Sequence, residues 1–189
     1  MLEVLNALAI KGLAEVSELT EATGRPEHEV AAVLSELEAA GHVRLRKGRI
    51  KGWTVTAEGK ARRQGLLRDA LAGSEAIRVV EDAYTAFLPV NGRFKQACSR
   101  WQADQDAAAA RESLALVHGQ VTPLLAAVSA AVPRFGRYEQ RLAEARRRFE
   151  SGESGALTAP RQRSYHDAWM ELHADLLATL GRSRTAADG

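Results

Sequence analysis

Gly41–Lys60 reads GHVRLRKGRIKGWTVTAEGK. Between His42 and Thr56 it alternates apolar and polar residues with the period of two that marks a strand. "HVRLR" and "GWTVT" therefore predict two antiparallel strands around "KGRIKG", with Gly48 and Gly52 supplying the turn's backbone freedom. The hairpin carries five basic residues, Arg44, Arg46, Lys47, Arg49 and Lys51, and no acid. Helical patterning surrounds it on both sides, so a short cationic hairpin sits inside an otherwise helical chain.

Upstream, "LEVLNALAI" puts Leu2, Leu5, Leu8 and Ala9 at helical spacing. "AEVSELTEATG" predicts a second short helix, with Val16, Leu19 and Ala22 inward and Gly24 as its stop. "RPEHEVAAVLSELEAAG" predicts a third, with Pro26 in the first turn and Glu27 and Glu29 near the positive end of the helix dipole. Its core stripe is Val30, Val33, Leu34 and Leu37, and Gly41 closes it. Downstream of Thr56, "AEGKARRQGLLRDALA" resumes helical periodicity.

The order helix, helix, turn, helix, hairpin, helix resembles the winged helix-turn-helix domain of bacterial transcriptional regulators of the MarR and PadR type. The resemblance is carried by residues 12–63, GLAEVSELTEATGRPEHEVAAVLSELEAAGHVRLRKGRIKGWTVTAEGKARR. Leu34, Leu37, Gly41 and Val43 match the step from third helix to first wing strand; Thr54, Thr56 and Gly59 match the exit from the wing. More loosely, FLPVNGRFKQACSRWQ and SYHDAWMELHADLLATLG are similar to the C-terminal parts of uncharacterised actinobacterial regulators of the MarR type. The resemblance implies a DNA-binding winged helix over 1–66 and an all-α dimerisation or effector domain over 67–180, with a flexible tail over 181–189. It also implies a double-stranded DNA partner; because two-fold proteins match palindromic operators, a homodimer is expected, with a small-molecule effector or a partner acting at the helical domain.

From about residue 70 no strand pattern occurs, and four to six helices are expected, forming a bundle. Ser74 is the expected N-cap of the first, Pro89 its interruption, and Gly119 and Pro123 the expected bend of the next long helix. The fold class expected for the whole chain is thus mainly α: three helices and a two-stranded β-wing, then an all-α bundle.

Composition narrows the function classes. The 189-residue chain has a formal net charge of only +2, so total charge identifies no polyanionic partner. Its distribution does. Residues 1–40 hold two bases against eight acids, net −6, whereas residues 41–63 hold eight bases against one acid, net +7. Duplex DNA carries a phosphate charge about every 1.7 Å of axis and rewards such cations with counterion release; Arg also suits a narrow minor groove. Solubility and protection of strand edges also call for charge, but not for charge of one sign. Cys98 is the single cysteine, which rules out an intramolecular disulfide and fits a reducing cytosol. The first residues lack the basic stretch of a signal peptide. The longest uncharged apolar run, VTPLLAAVSAAV, has 12 residues against the roughly 20 that span a bilayer, so a cytoplasmic protein without a membrane partner is expected.

With Val30, Leu34 and Leu37 inward, the outward line of the third helix is His28, Ala32, Ser35 and Ala39. This line would not repel phosphates, yet it lacks the Arg, Asn or Gln that reads bases with paired hydrogen bonds. Arg25, just before the helix, is placed to touch a phosphate or a base. A winged helix that binds another polypeptide instead of DNA stays open as the alternative.

No nucleotide-binding, nucleophile-elbow or zinc-protease motif occurs, so neither an enzyme nor a cofactor is expected. His166 and His173 lie two helical turns apart, roughly 10 Å, too far to share one metal. Phe94, Trp101, Tyr165, His166 and Trp169 admit two readings. With Arg93, Lys95 and Arg100 nearby they can line a pocket for an organic, anionic effector, or they pack as core.

Overall fold

The computed structural model describes residues 1–183; the end of the tail expected over 181–189 lies outside the described residues. The chain is mainly helical with one small antiparallel sheet, and it divides into two compact units after Gly73.

The first unit contains α1 (Leu2–Lys11), α2 (Val16–Thr23), α3 (Glu27–Ala39), β1 (Val43–Arg46), β2 (Gly52–Val55) and α4 (Ala57–Leu71). Helix α4 spans residue 66 and belongs to this unit entirely. Val4, Leu5 and Leu8 of α1 meet Leu19 of α2, Val30, Leu34 and Leu37 of α3, and Val43 of β1 in one core. Val4 is fully buried, whereas Leu2 and Ala9, expected inward, are only half-buried. Pro26 is the N-cap of α3 rather than a residue of its first turn.

The passage from α3 into the hairpin rests on Gly41. Its φ of 74° lies in the left-handed region. There the Gly41 N–H donates to the Glu38 carbonyl at 2.9 Å and the His42 N–H to the Leu37 carbonyl at 2.8 Å, so both carbonyls at the helix end are satisfied. The strands then pair in register Val43–Val55, Arg44–Thr54, Leu45–Trp53 and Arg46–Gly52. Because side chains alternate, Val43, Trp53 and Val55 face the core while Arg44 and Arg46 face solvent. A third backbone segment joins the sheet. Ala14, between α1 and α2, exchanges both hydrogen bonds with Trp53, at 2.8 and 3.2 Å. Of the two turn glycines expected, Gly52 adopts a positive φ and Gly48 does not.

Thr56 caps α4, accepting from the Gly59 N–H at 3.0 Å and donating to the Gly41 carbonyl at 2.7 Å. Gly59 is required by this close approach. A Cβ there would overlap the His42 carbonyl oxygen and reach 2.8 Å from Val55 Cγ1, and the backbone atom cannot move aside cheaply. Gly59→Ala is therefore expected to destabilise the first unit by about 3 kcal/mol in chemical denaturation. Gly65→Ala in the same helix, where nothing lies within 4 Å, should be neutral or stabilising by up to ~1 kcal/mol.

The second unit contains α5 (Ala76–Asp104), α6 (Ala107–Ala131), a 3₁₀ turn (Pro133–Phe135), α7 (Gly136–Glu150), the short α8 (Gly155–Thr158) and α9 (Tyr165–Thr179). Three local expectations change. Glu75, not Ser74, is the N-cap of α5. Pro89 does not interrupt α5: it sits on the exposed side, where water can take the carbonyl it releases. The buried stripe from Val80, Tyr84 and Phe87 to Val90, Phe94 and Cys98 runs along both halves. Helix α6 likewise continues through Gly119 and Pro123.

Helix α5 packs on α6 and α9, and α7 packs on α6, α8 and α9. Asp106 caps α6 through the Ala108 and Ala109 N–H groups, and Ser164 and Asp167 form a reciprocal capping box on α9. Two buried devices join the helices. Arg134 meets Asp175 at 3.4 Å and donates to Thr179 Oγ1 at 2.5 Å, while the Tyr138 hydroxyl donates to Asp175 Oδ2 at 3.1 Å. The Trp169 indole donates to Asn91 Oδ1 at 2.8 Å. Arg182, within the stretch expected as tail, pairs with Glu81 at 3.2 Å, and its N–H donates to the Leu177 carbonyl. By length and composition α6 could cross a membrane, although the 12-residue run alone is too short; its buried residues, among them Leu114, Val121 and Leu125, belong to the packed unit.

Candidate nucleic-acid interface

The hairpin brings together the five bases that the sequence places on it. Arg44 and Arg46 project from the solvent face of β1, and Lys47, Arg49 and Lys51 lie in the connecting loop; all five are exposed. Among the described residues none of the five is held in an ion pair. One carboxylate reaches the base of the hairpin, where Glu38 accepts from the Leu45 N–H at 3.4 Å. The backbone of the hairpin is fixed by the Ala14–Trp53 exchange and by Thr54, which donates to the Gly12 carbonyl at 3.1 Å. The cations thus stand on an anchored ribbon.

His28, Ala32, Ser35 and Ala39 are all exposed along α3, as the helical period requires. They form a line of small side chains, with His28 its one ionisable residue, flanked by exposed Glu29 and Glu36. Arg25 is placed differently from a free phosphate contact. Its Nε meets Glu3 at 3.0 Å and its Nη1 meets Glu29 at 3.2 Å. The Glu3 hydrogen bond and charge, followed by those of Glu29, push its pKa above the usual arginine value. Arg25 therefore ties α1 to α3 and reaches an outside anion only by giving up these carboxylates. Arg63 makes a comparable tie from α4 to α1 through Asn6 Oδ1 at 2.8 Å.

The five effector candidates lie in the second unit. Phe94 packs on Trp169 at 4.6 Å and on Tyr165 at 5.3 Å between ring centroids, and Phe87 also packs on Trp169 at 4.9 Å. Trp101 stands apart, edge-on to Phe149 at 5.2 Å. Phe94, Tyr165 and Trp169 are at most 1% exposed, and half-buried His166 lies 6.2 Å from the Phe94 ring. The rings fill one another's space. A shallow apolar depression, too small for an organic ligand, lies elsewhere against α5, α6 and α9, lined by Phe87, Val121, Leu125, Leu172 and neighbours, and none of the five candidates lines it.

His173 is buried against Tyr84 and Phe87. Among the described residues no group of three His, Cys, Asp or Glu side chains is placed to hold a metal. Half-buried His118 contacts the Tyr165 hydroxyl at 3.2 Å; burial and then nearby Arg146 lower its pKa. Cys98 is buried, which pushes its thiol up to about 12. Alkylation of the native protein at pH 8 is therefore expected to run about a thousandfold slower than after unfolding, as the thiolate fraction dictates; a mass-spectrometric time course reads this directly.

Two features escape a reading of the sequence. Ala14 as a sheet member carries no strand pattern of its own, being a single residue. Ile50 at the hairpin tip is 60% exposed; its signal was an isoleucine in a loop otherwise built of Lys, Arg and Gly. No family model matches the chain, and neither a curated protein nor a solved structure does.

Proposed function

We propose that the first unit is a winged helix-turn-helix that holds duplex DNA, and that the protein is a cytoplasmic transcriptional regulator of the MarR/PadR kind. The observation that carries this reading is the hairpin: five exposed bases of one sign, free of ion pairs among the described residues, on a backbone anchored to the core. The cations bind phosphates or the minor groove, and the outer line of α3, which carries no acid between its flanking glutamates, faces the major groove. With no Arg, Asn or Gln on that line, the wing supplies most of the affinity and sequence preference is modest. The helical unit pairs two copies so that two wings meet two half-sites, and an effector or partner acts by shifting their relative orientation. The ring-on-ring packing of Phe94, Tyr165 and Trp169 favours a scaffold role for these residues over a pocket.

Selection from fragments of the source genome tests the reading. Retained fragments should share a weak motif, repeated at one helical turn (about 10–10.5 bp) or a multiple of it. If no fragment is retained even at low salt, the regulator reading fails. The exposed Glu29 and Glu36 on the flank of α3, and Arg25 tied to carboxylates, would then favour the second reading, a winged helix that binds a protein partner.

A further inference from the structure

The hairpin tip carries one residue that phosphate binding does not need. Ile50 lies between Arg49 and Lys51 in the loop joining β1 and β2, outside the paired register, and is 60% exposed. Its side chain adds nothing to the core of the first unit and nothing to phosphate binding, yet it stands at the tip between two cations. Leu45, the other exposed apolar residue of the hairpin, stands opposite Trp53, which packs on the core. Ile50 has no such neighbour in the register.

We propose that Ile50 is an apolar wedge, which the tip of the hairpin inserts into the minor groove to unstack a base step partly and bend the duplex. This rests on the duplex-binding reading above. A two-stranded ribbon, with strand axes about 4.8 Å apart and backbone and side chains outside them, is wider than the minor groove of about 6 Å, so only the tip enters while the ribbon stays outside. Isoleucine is among the side chains that act as such wedges. The unstacking it causes is offset by charge: Arg49 and Lys51 flank it immediately and reach the phosphates of the two strands on either side. A bilayer surface is the poorer occupant, since interfacial binding needs a continuous apolar face and the tip offers a single apolar side chain among cations. Flexible pyrimidine–purine steps deform most easily and are the preferred sites of insertion.

The test uses the full chain and two 40-bp duplexes carrying donor and acceptor dyes at their ends, one with central TA steps and one with a stiff central A-tract. The wild type should bring the ends of the TA duplex closer than those of the A-tract duplex. Ile50→Ala should keep the salt slope of binding, lose about tenfold in affinity for the TA duplex and abolish the end-to-end shortening; Ile50→Leu should restore both. Since the side chain is exposed, neither change should affect folding. Wild type that binds without shortening, or Ile50→Ala that binds and bends as wild type does, overturns the wedge while duplex binding stands. Wild type that ignores both duplexes but sediments with phosphatidylserine vesicles, in a way Ile50→Ala abolishes, overturns the wedge and the duplex reading together.

Discussion

Replacing Arg44, Arg46, Lys47, Arg49 and Lys51 together by alanine is expected to weaken duplex binding by about four to five decades at about 0.1 M salt. The magnitude follows from counterion release: each neutralised phosphate contributes a slope of roughly 0.9 in log affinity against log salt, so five lost contacts remove about 4.5 decades per decade of salt below 1 M. The structure supports taking all five as available, because each is exposed and none is tied to a carboxylate among the described residues. For the same reason folding should change by no more than about 1 kcal/mol, most of it from the weaker strand propensity of alanine. Arginines of α7 provide the contrast. Arg146 pairs with Glu150 at 2.7 Å and Arg147 pairs with Glu144, so Arg146→Ala/Arg147→Ala should leave duplex binding within about threefold of wild type. Titration of a labelled duplex by fluorescence anisotropy reads all three proteins.

Trp169→Ala should destabilise the second unit by about 3–5 kcal/mol, the range for removing a large buried aromatic. Trp169 is fully buried against Phe87 and Phe94, touches Tyr165 and donates its indole N–H to Asn91. Its loss leaves a cavity and removes a buried hydrogen bond at once. For a unit of this size the midpoint should fall by on the order of 15 °C. The result also separates the two readings of the aromatic residues. A pocket wall should tolerate truncation with little change in midpoint, whereas a core ring cannot; an unshifted midpoint would remove the scaffold role assigned to it.

The first unit was largely legible because its signals are local. The alternation from Val43 to Val55, the stripe of Val30, Leu34 and Leu37, and the stop at Gly41 each depend on neighbours within a few residues. The exposed line His28, Ala32, Ser35 and Ala39 follows from the same period. What could not be read depends on partners far apart in the chain. Arg25 has carboxylates 22 residues before it and four after it, and nothing local distinguishes a tied arginine from a free one. Ala14 joins the sheet only because Trp53 reaches it. In the second unit Pro89 signals a break locally, yet the buried stripe on both sides keeps α5 continuous. The aromatic residues were visible as a group, but whether rings fill one another's space or enclose a cavity is decided by packing between α5 and α9.

If an anchored ribbon of cations grips duplex phosphates, wild-type binding must be strongly salt-dependent. Affinity for one 40-bp duplex measured between 50 and 300 mM salt should fall with a log–log slope of about −4 to −5 for each wing engaged, steeper when two wings bind one duplex. A slope near zero, or no binding at 50 mM salt, would mean that the hairpin does not grip duplex phosphates.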